Sequence, residues 1–277
     1  MRVKVAVMAG ILLATVQAKA AESTLTITSG GKTATYTTLQ LSGRPDASAL
    51  TIPAGAPAYD QPYVFRAVPL LPLLGPLPSG SDDMLQARAS DGFVAELPLA
   101  LLRRAAEGGA VPWIALELPE QPWPVIPETG KKPGPFWLVW EHPERSNIGT
   151  EQWPYALASL TTVEDAAQRW PQLALPADRA KDAQAEQGLH VYVKQCLPCH
   201  KMEGGGEGTI GPDLGQPMNA TAYLTDAGLR ALIRDPKSVR TWPTQTMQGF
   251  ASEHLSDADL DDLIAYLHAK AEAPPAQ

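Results

Sequence analysis

The stretch CLPCHKMEGGGEGTIGPDLG, Cys196 to Gly215, holds the only two cysteines of the 277-residue chain, with His200 directly behind the second. Three chemistries use such a pair. A structural zinc takes four ligands, commonly from two cysteine pairs, and no second pair exists here. A dithiol cycling through a disulfide leaves the histidine without a role. Cys-x-x-Cys-His is also the attachment signature of covalent haem. On one helical turn the two thiols lie on the same side and can add to two vinyl groups, while the next residue turns its imidazole toward the iron. In this reading Cys196 and Cys199 carry thioethers and His200 is the proximal ligand.

The sequence around the motif has helical texture. Lys181 to Gln195 has helical composition, and apolar residues recur at helical spacing near Leu229 and Leu260. The clearest helix starts at Ser256, with Asp259 completing a Ser-x-x-Asp cap, and places Leu260, Leu263, Ile264 and Leu267 on one face. Upstream, from Thr24 to about Trp170, short strand-like runs alternate with proline and glycine. TLTITSGGKTATYT and LQARASDGFVAEL read as hairpins, and ALLRRAAEG as the one clear helix. The expected architecture is an α+β domain over 21–170, a linker over 171–182, an all-α haem domain over 183–270 and a disordered tail over 271–277.

The second module resembles the class I c-type cytochromes. That family carries a glycine eight residues, and an aromatic four residues, before the first cysteine, and Gly188 and Tyr192 stand there. Its last helix offers a Leu-x-x-aromatic pair that crosses the first helix, matched by Leu263 and Tyr266. Its Gly-Pro-x-Leu loop is matched by Gly211-Pro212-Asp213-Leu214, and the resemblance implies that the Pro212 carbonyl accepts a hydrogen bond from His200 Nδ1. It also implies a distal methionine shortly before the last helix. Met247, 47 residues after His200 with Asp235-Pro236 upstream and Phe250 behind, occupies that place, although Gln248 stands where proline is common. Met218, Met202 and His254 are the other candidates. His190 shares the first helix and points away, and His268 ends the last one. Trp242, Arg240 and Tyr223 are candidates for the propionate side.

A His/Met pair favours Fe(II) and leaves no open position for oxygen or peroxide. The resemblance therefore implies a single-haem c-type cytochrome that carries electrons between redox proteins and is not an enzyme. Two alternatives stand beside it: the haem subunit of a larger oxidoreductase, and a haem enzyme with an open sixth position, such as a peroxidase. In the first domain, ASDGFVAELPL, PWIALE and GPFWLVW resemble part of the sulfite-oxidase-type molybdopterin-binding fold. That family ligates molybdenum through a cysteine, and this domain has none, which argues for a degenerate binding or docking domain without a molybdenum cofactor. Six of the seven tryptophans lie between Trp113 and Trp170 and can serve either as core or as an interface.

Composition is consistent with a folded chain of two unlike domains, at 44% hydrophobic and 19% charged residues. Arg2 and Lys4, the apolar run Val5 to Val16 and Ala18-Lys19-Ala20 read as an export signal cleaved near Ala20. The run is too short for the ~20 residues that cross a bilayer, so no membrane insertion is expected. Export places the protein in the periplasm, where bacterial c-type haem is attached. Cleavage removes Arg2, Lys4 and Lys19 and no acidic residue, taking the formal charge from −8 to −11. A surface so acidic argues against nucleic-acid binding and for redox partners with a basic docking patch.

Overall fold

The computed structural model describes residues 23–54, 59–78, 84–127 and 130–271. The export signal read at 1–20 lies outside the described residues, as does the tail beyond Ala271, which is itself the last residue of the final helix.

Nine strands appear among the described residues: β1 (Thr24–Ser29), β2 (Lys32–Thr37), β3 (Ser48–Ile52), β4 (Tyr63–Pro69), β5 (Met84–Ala89), β6 (Val94–Pro98), β7 (Val111–Leu116), β8 (Phe136–Glu141) and β9 (Leu157–Val163). They form a five-stranded sheet in the order β2-β1-β9-β5-β6 and a four-stranded sheet in the order β3-β4-β7-β8. Only the β1–β9 pairing is parallel. The two hairpins read from the sequence are β1–β2 and β5–β6. The first turns at Gly30 and Gly31, both in the left-handed region that glycine enters without a steric penalty. Alternation along β1 buries Leu25 and Ile27, which join Leu85, Leu97 and Leu160 in one core with Phe65, Ile114, Phe136 and Trp140 of the second sheet.

Four of the upstream tryptophans, Trp123, Trp137, Trp140 and Trp153, are buried in this core. Phe65 meets Trp123 and Trp137 edge-on, with ring centroids 5.1 and 5.5 Å apart. The buried indole N–H groups of Trp137 and Trp140 donate to the carbonyls of Trp153 and Gln152, at 2.9 and 2.7 Å, so these tryptophans are core residues with satisfied polar ends.

The helix expected at ALLRRAAEG forms as α3 (Leu99–Arg103), continued by a 3₁₀ turn at Arg104–Glu107. Three more short helices accompany it: α1 (Thr38–Ser42), α2 (Leu70–Leu74) and α4 (Ala166–Arg169). Each spans little more than one turn, too short to show apolar periodicity. Local hydrogen bonds start two of them. Thr37 and Gln40 form a reciprocal capping box at α1, and the Asp165 carboxylate accepts from Ala167 N at α4.

The carboxy-terminal part is helical: α5 (Ala183–Gln195), α6 (Asp226–Arg234), α7 (Pro236–Val239) and α8 (Asp257–Ala271). Asp182 caps α5, and Ser256 caps α8 by accepting from Asp259 N at 3.0 Å. Helices α5 and α8 cross at Gly188, where a Cβ would come within 2.6 Å of the Asp262 carbonyl carbon and 2.7 Å of Tyr266 Cβ. Only glycine permits so close an approach. Beside the crossing the fully buried rings of Tyr192 and Tyr266 lie 5.3 Å apart.

The stretch expected to be a linker is part of this second core. Leu173 is fully buried there, Tyr266 Oη donates to its carbonyl at 2.9 Å, and Lys270 Nζ donates to the Ala174 carbonyl at 3.2 Å. Met84 of β5 and Ala166 of α4 belong to the same cluster, so the first domain supplies part of its wall. No helix among the described residues is long and apolar enough to cross a membrane.

Candidate haem site

Helix α5 ends at Gln195 and delivers Cys196 into a tight turn: Cys196 N and Leu197 N both bond to the Tyr192 carbonyl, and His200 N bonds to the Cys196 carbonyl at 2.8 Å. The turn brings Cys196, Cys199 and His200 together at the helix end. Both cysteines are half-buried and no disulfide joins them. Burial pushes the Cys199 thiol up to about 12, with the nearby Glu151 carboxyl adding to the shift, and raises Cys196 through burial, Cys199 and Glu151 together.

His200 Nδ1 lies 2.7 Å from the Pro212 carbonyl oxygen. A carbonyl only accepts, so the ring hydrogen sits on Nδ1 and the Nε2 lone pair is left for a metal. Burial lowers the ring's pKa, opposed by the Pro212 hydrogen bond and the Asp213 charge, which keeps the imidazole neutral and able to ligate. Gly211 packs flat against the ring, where a Cβ would come within 2.5 Å of Nδ1 and 2.8 Å of Nε2. Two backbone bonds zip the loop back onto the motif, Gly211 N to the Cys199 carbonyl at 2.9 Å and Leu214 N to the Lys201 carbonyl at 2.8 Å.

Met247 is half-buried on the irregular segment between α7 and α8. That segment is stapled to α6. The Arg234 guanidinium donates to the Phe250 and Leu255 carbonyls at 2.9 and 2.6 Å, and Phe250 N bonds to the Ile233 carbonyl. Met218 is 53% exposed, while Met202 is fully enclosed in the second core. His190 is exposed on α5, and His268 Nε2 pairs with Asp226 at 2.7 Å. His254 is half-buried, and its carbonyl accepts from Gln195 Nε2 at 3.2 Å.

Among the described residues, Ile210, Met218, Tyr223, Val239 and Trp242 are large apolar side chains left exposed in this domain. Exposed apolar side chains of this size are available to pack on a flat apolar group such as a porphyrin. Gln245 Nε2, two residues before Met247, is buried without a hydrogen-bond partner, as a donor awaiting an acceptor would be. Arg240 lies over the Trp242 ring, 5.8 Å from its centroid.

Sequence reasoning missed what the first domain brings to this site. The 3₁₀ turn Thr150–Gln152 abuts the end of α5, where the buried Gln152 amide donates to the Lys194 carbonyl at 3.0 Å and Lys194 Nζ donates to the Asn147 carbonyl at 2.9 Å. Glu151, in the same turn, is raised to about 7 by burial. On the other side Arg88 of β5 is ion-paired with Glu207 of the glycine-rich loop, and Gln86 Nε2 donates to Glu207 at 3.1 Å. These residues lie far from the motif in the chain, and nothing in their local sequence marks them.

Residues 183–267 match the family described as Cytochrome C oxidase, cbb3-type, subunit III. No curated protein matches the chain. The match covers under a third of the sequence, and over that stretch the fold, the cysteine pair and the family agree: the carboxy-terminal part is a c-type cytochrome domain, which implies covalently bound haem c and an electron-transfer role.

Proposed function

We propose that the chain is a periplasmic single-haem electron carrier, in which Cys196 and Cys199 hold the haem by thioethers, His200 and Met247 ligate its iron, and the first domain serves as a docking module without a molybdenum cofactor. The observation that carries this reading is the His200–Pro212 hydrogen bond beside the two cysteines at the end of α5. The haem supplies the one-electron chemistry. The protein's part is to hold it. His200 offers Nε2 while its Nδ1 hydrogen is fixed on Pro212, Gly211 leaves room for the ring, and the exposed apolar side chains would be available to pack on the porphyrin. A thioether from Met247 would fill the sixth position and leave none for a substrate, which separates a carrier from a peroxidase.

The test is the absorption spectrum of Met247→Ala beside the parent. Loss of the weak far-red sulfur-to-iron band places the ligand at Met247, whereas an unchanged band moves it to Met218 or Met202. Carbon monoxide added to the reduced parent should bind poorly, and fast binding would overturn the carrier reading. A second reading, a haem subunit of a larger oxidoreductase, is favoured by the description of the matching family as an oxidase subunit. A net acidic chain suits either role by attracting a basic patch on its partner. Co-purification of a catalytic subunit from the native host would decide for the second reading.

A further inference from the structure

Asp213 is the variable residue of the Gly-Pro-x-Leu loop, and its carboxylate makes more hydrogen bonds than any role in the loop's own turn requires. Oδ1 accepts from Glu203 N at 2.9 Å, Gly215 N at 2.8 Å and Gln216 N at 3.1 Å, while Oδ2 accepts from Gly204 N at 2.7 Å. The donors come from two separate strands of chain, one just after His200 and one just after Pro212. Glu203 and Gly204 both have left-handed backbone, at φ 52° and 84°, which turns their successive N–H groups toward one point. The carboxylate occupies that point. Glu203 is in turn ion-paired at 3.1 Å with Lys270 of α8, so the loop after His200 is anchored from two sides.

Pro212 is the neighbour of Asp213, and its carbonyl is the acceptor for His200 Nδ1. We propose that Asp213 is a positioning residue for the proximal histidine: by clamping both strands of the loop it holds the Pro212 carbonyl on Nδ1 and so sets the reduction potential of the iron. The inference rests on the reading of His200 as iron ligand. A firm hydrogen bond from Nδ1 makes Nε2 a stronger donor and favours Fe(III). Loosening the clamp therefore raises the potential.

The experiment compares the purified haem-loaded full chain with its Asp213→Ala and Asp213→Asn variants. Three readouts are needed: retention of colour in acidified organic solvent, exchange of the His200 Nδ1 proton in the reduced protein by NMR, and redox titration. Loss of one hydrogen bond's worth of donor strength corresponds to a change of roughly fivefold in the ratio of reduced to oxidised protein at a fixed ambient potential. Asp213→Ala should show that rise together with faster Nδ1 exchange. Asp213→Asn keeps an oxygen for the three Oδ1 donors but loses the charge and the acceptor for Gly204 N, so Nδ1 exchange should stay near the parent's while the potential rises less than in Asp213→Ala. If Asp213→Ala does not hold haem, Asp213→Ser takes its place with the same expectation. Equal shifts in the neutral variants with unchanged proton exchange would reduce Asp213 to a bare charge and overturn the proposal, as would a parent-like potential in the alanine or serine variant. A parent that loses its colour in the solvent would instead overturn the haem reading itself.

Discussion

Glu151 shows how one side chain can couple the two halves of the molecule. It sits in the turn that meets the end of α5, and burial lifts its carboxyl from the ordinary 4.5 to about 7. A carboxyl raised on folding contributes stability that is fully present below about pH 4.5 and lost as pH climbs through about 7, because the folded state holds the proton more tightly than the unfolded one. The half-buried charge should cost on the order of 2 kcal/mol at pH 8. Glu151→Gln should accordingly raise the melting temperature at pH 8, leave it unchanged at pH 4 and flatten the profile between. A variant whose profile followed that of the parent would show that the carboxyl is solvated. No pattern in the sequence announces this residue, since its environment is made by a helix end more than forty positions away. The cysteine pair, His200 and Pro212 could be read directly because their chemistry fixes their spacing within a single loop.

At the scale of elements, the crossing of α5 and α8 is the contact on which the carboxy-terminal domain is built. Gly188 was readable from its place eight residues before Cys196, and the structure supplies the reason: the backbone of α8 lies where any side chain would go. Gly188→Ala should separate the helices and cost about 3 kcal/mol. The measurement is the thermal melt of the haem-loaded protein together with the fraction of chain that retains haem, and both should fall. A substitution without effect would mean that the helices have room to spare. The capped start of α8 was equally legible, because Ser256 and Asp259 act on their own helix. Of the short helices of the first domain only α3 was readable; α1, α2 and α4 were not, being single turns fixed by sheet packing and local caps.

For the whole molecule, the described residues form two cores with no residue in common, and the line between them does not follow chain order. Met84 and Ala166 belong to the first domain by chain order and to the second core by contact. The pairing of the nine strands into two sheets could not be read from strand-like runs, because register and order depend on contacts between distant segments; β1 lies beside β9 across more than a hundred residues. Arg169 and the buried Glu96 form a further ion pair at 2.8 Å close to the same boundary. The stretch around Leu173 and Ala174, tied by Tyr266 and Lys270 to the last helix, therefore behaves as a stitch and not as a tether. If a protease nicks the backbone between Leu175 and Lys181, the fragments should travel as one particle on a sizing column and part only in denaturant, the red colour staying with the smaller piece.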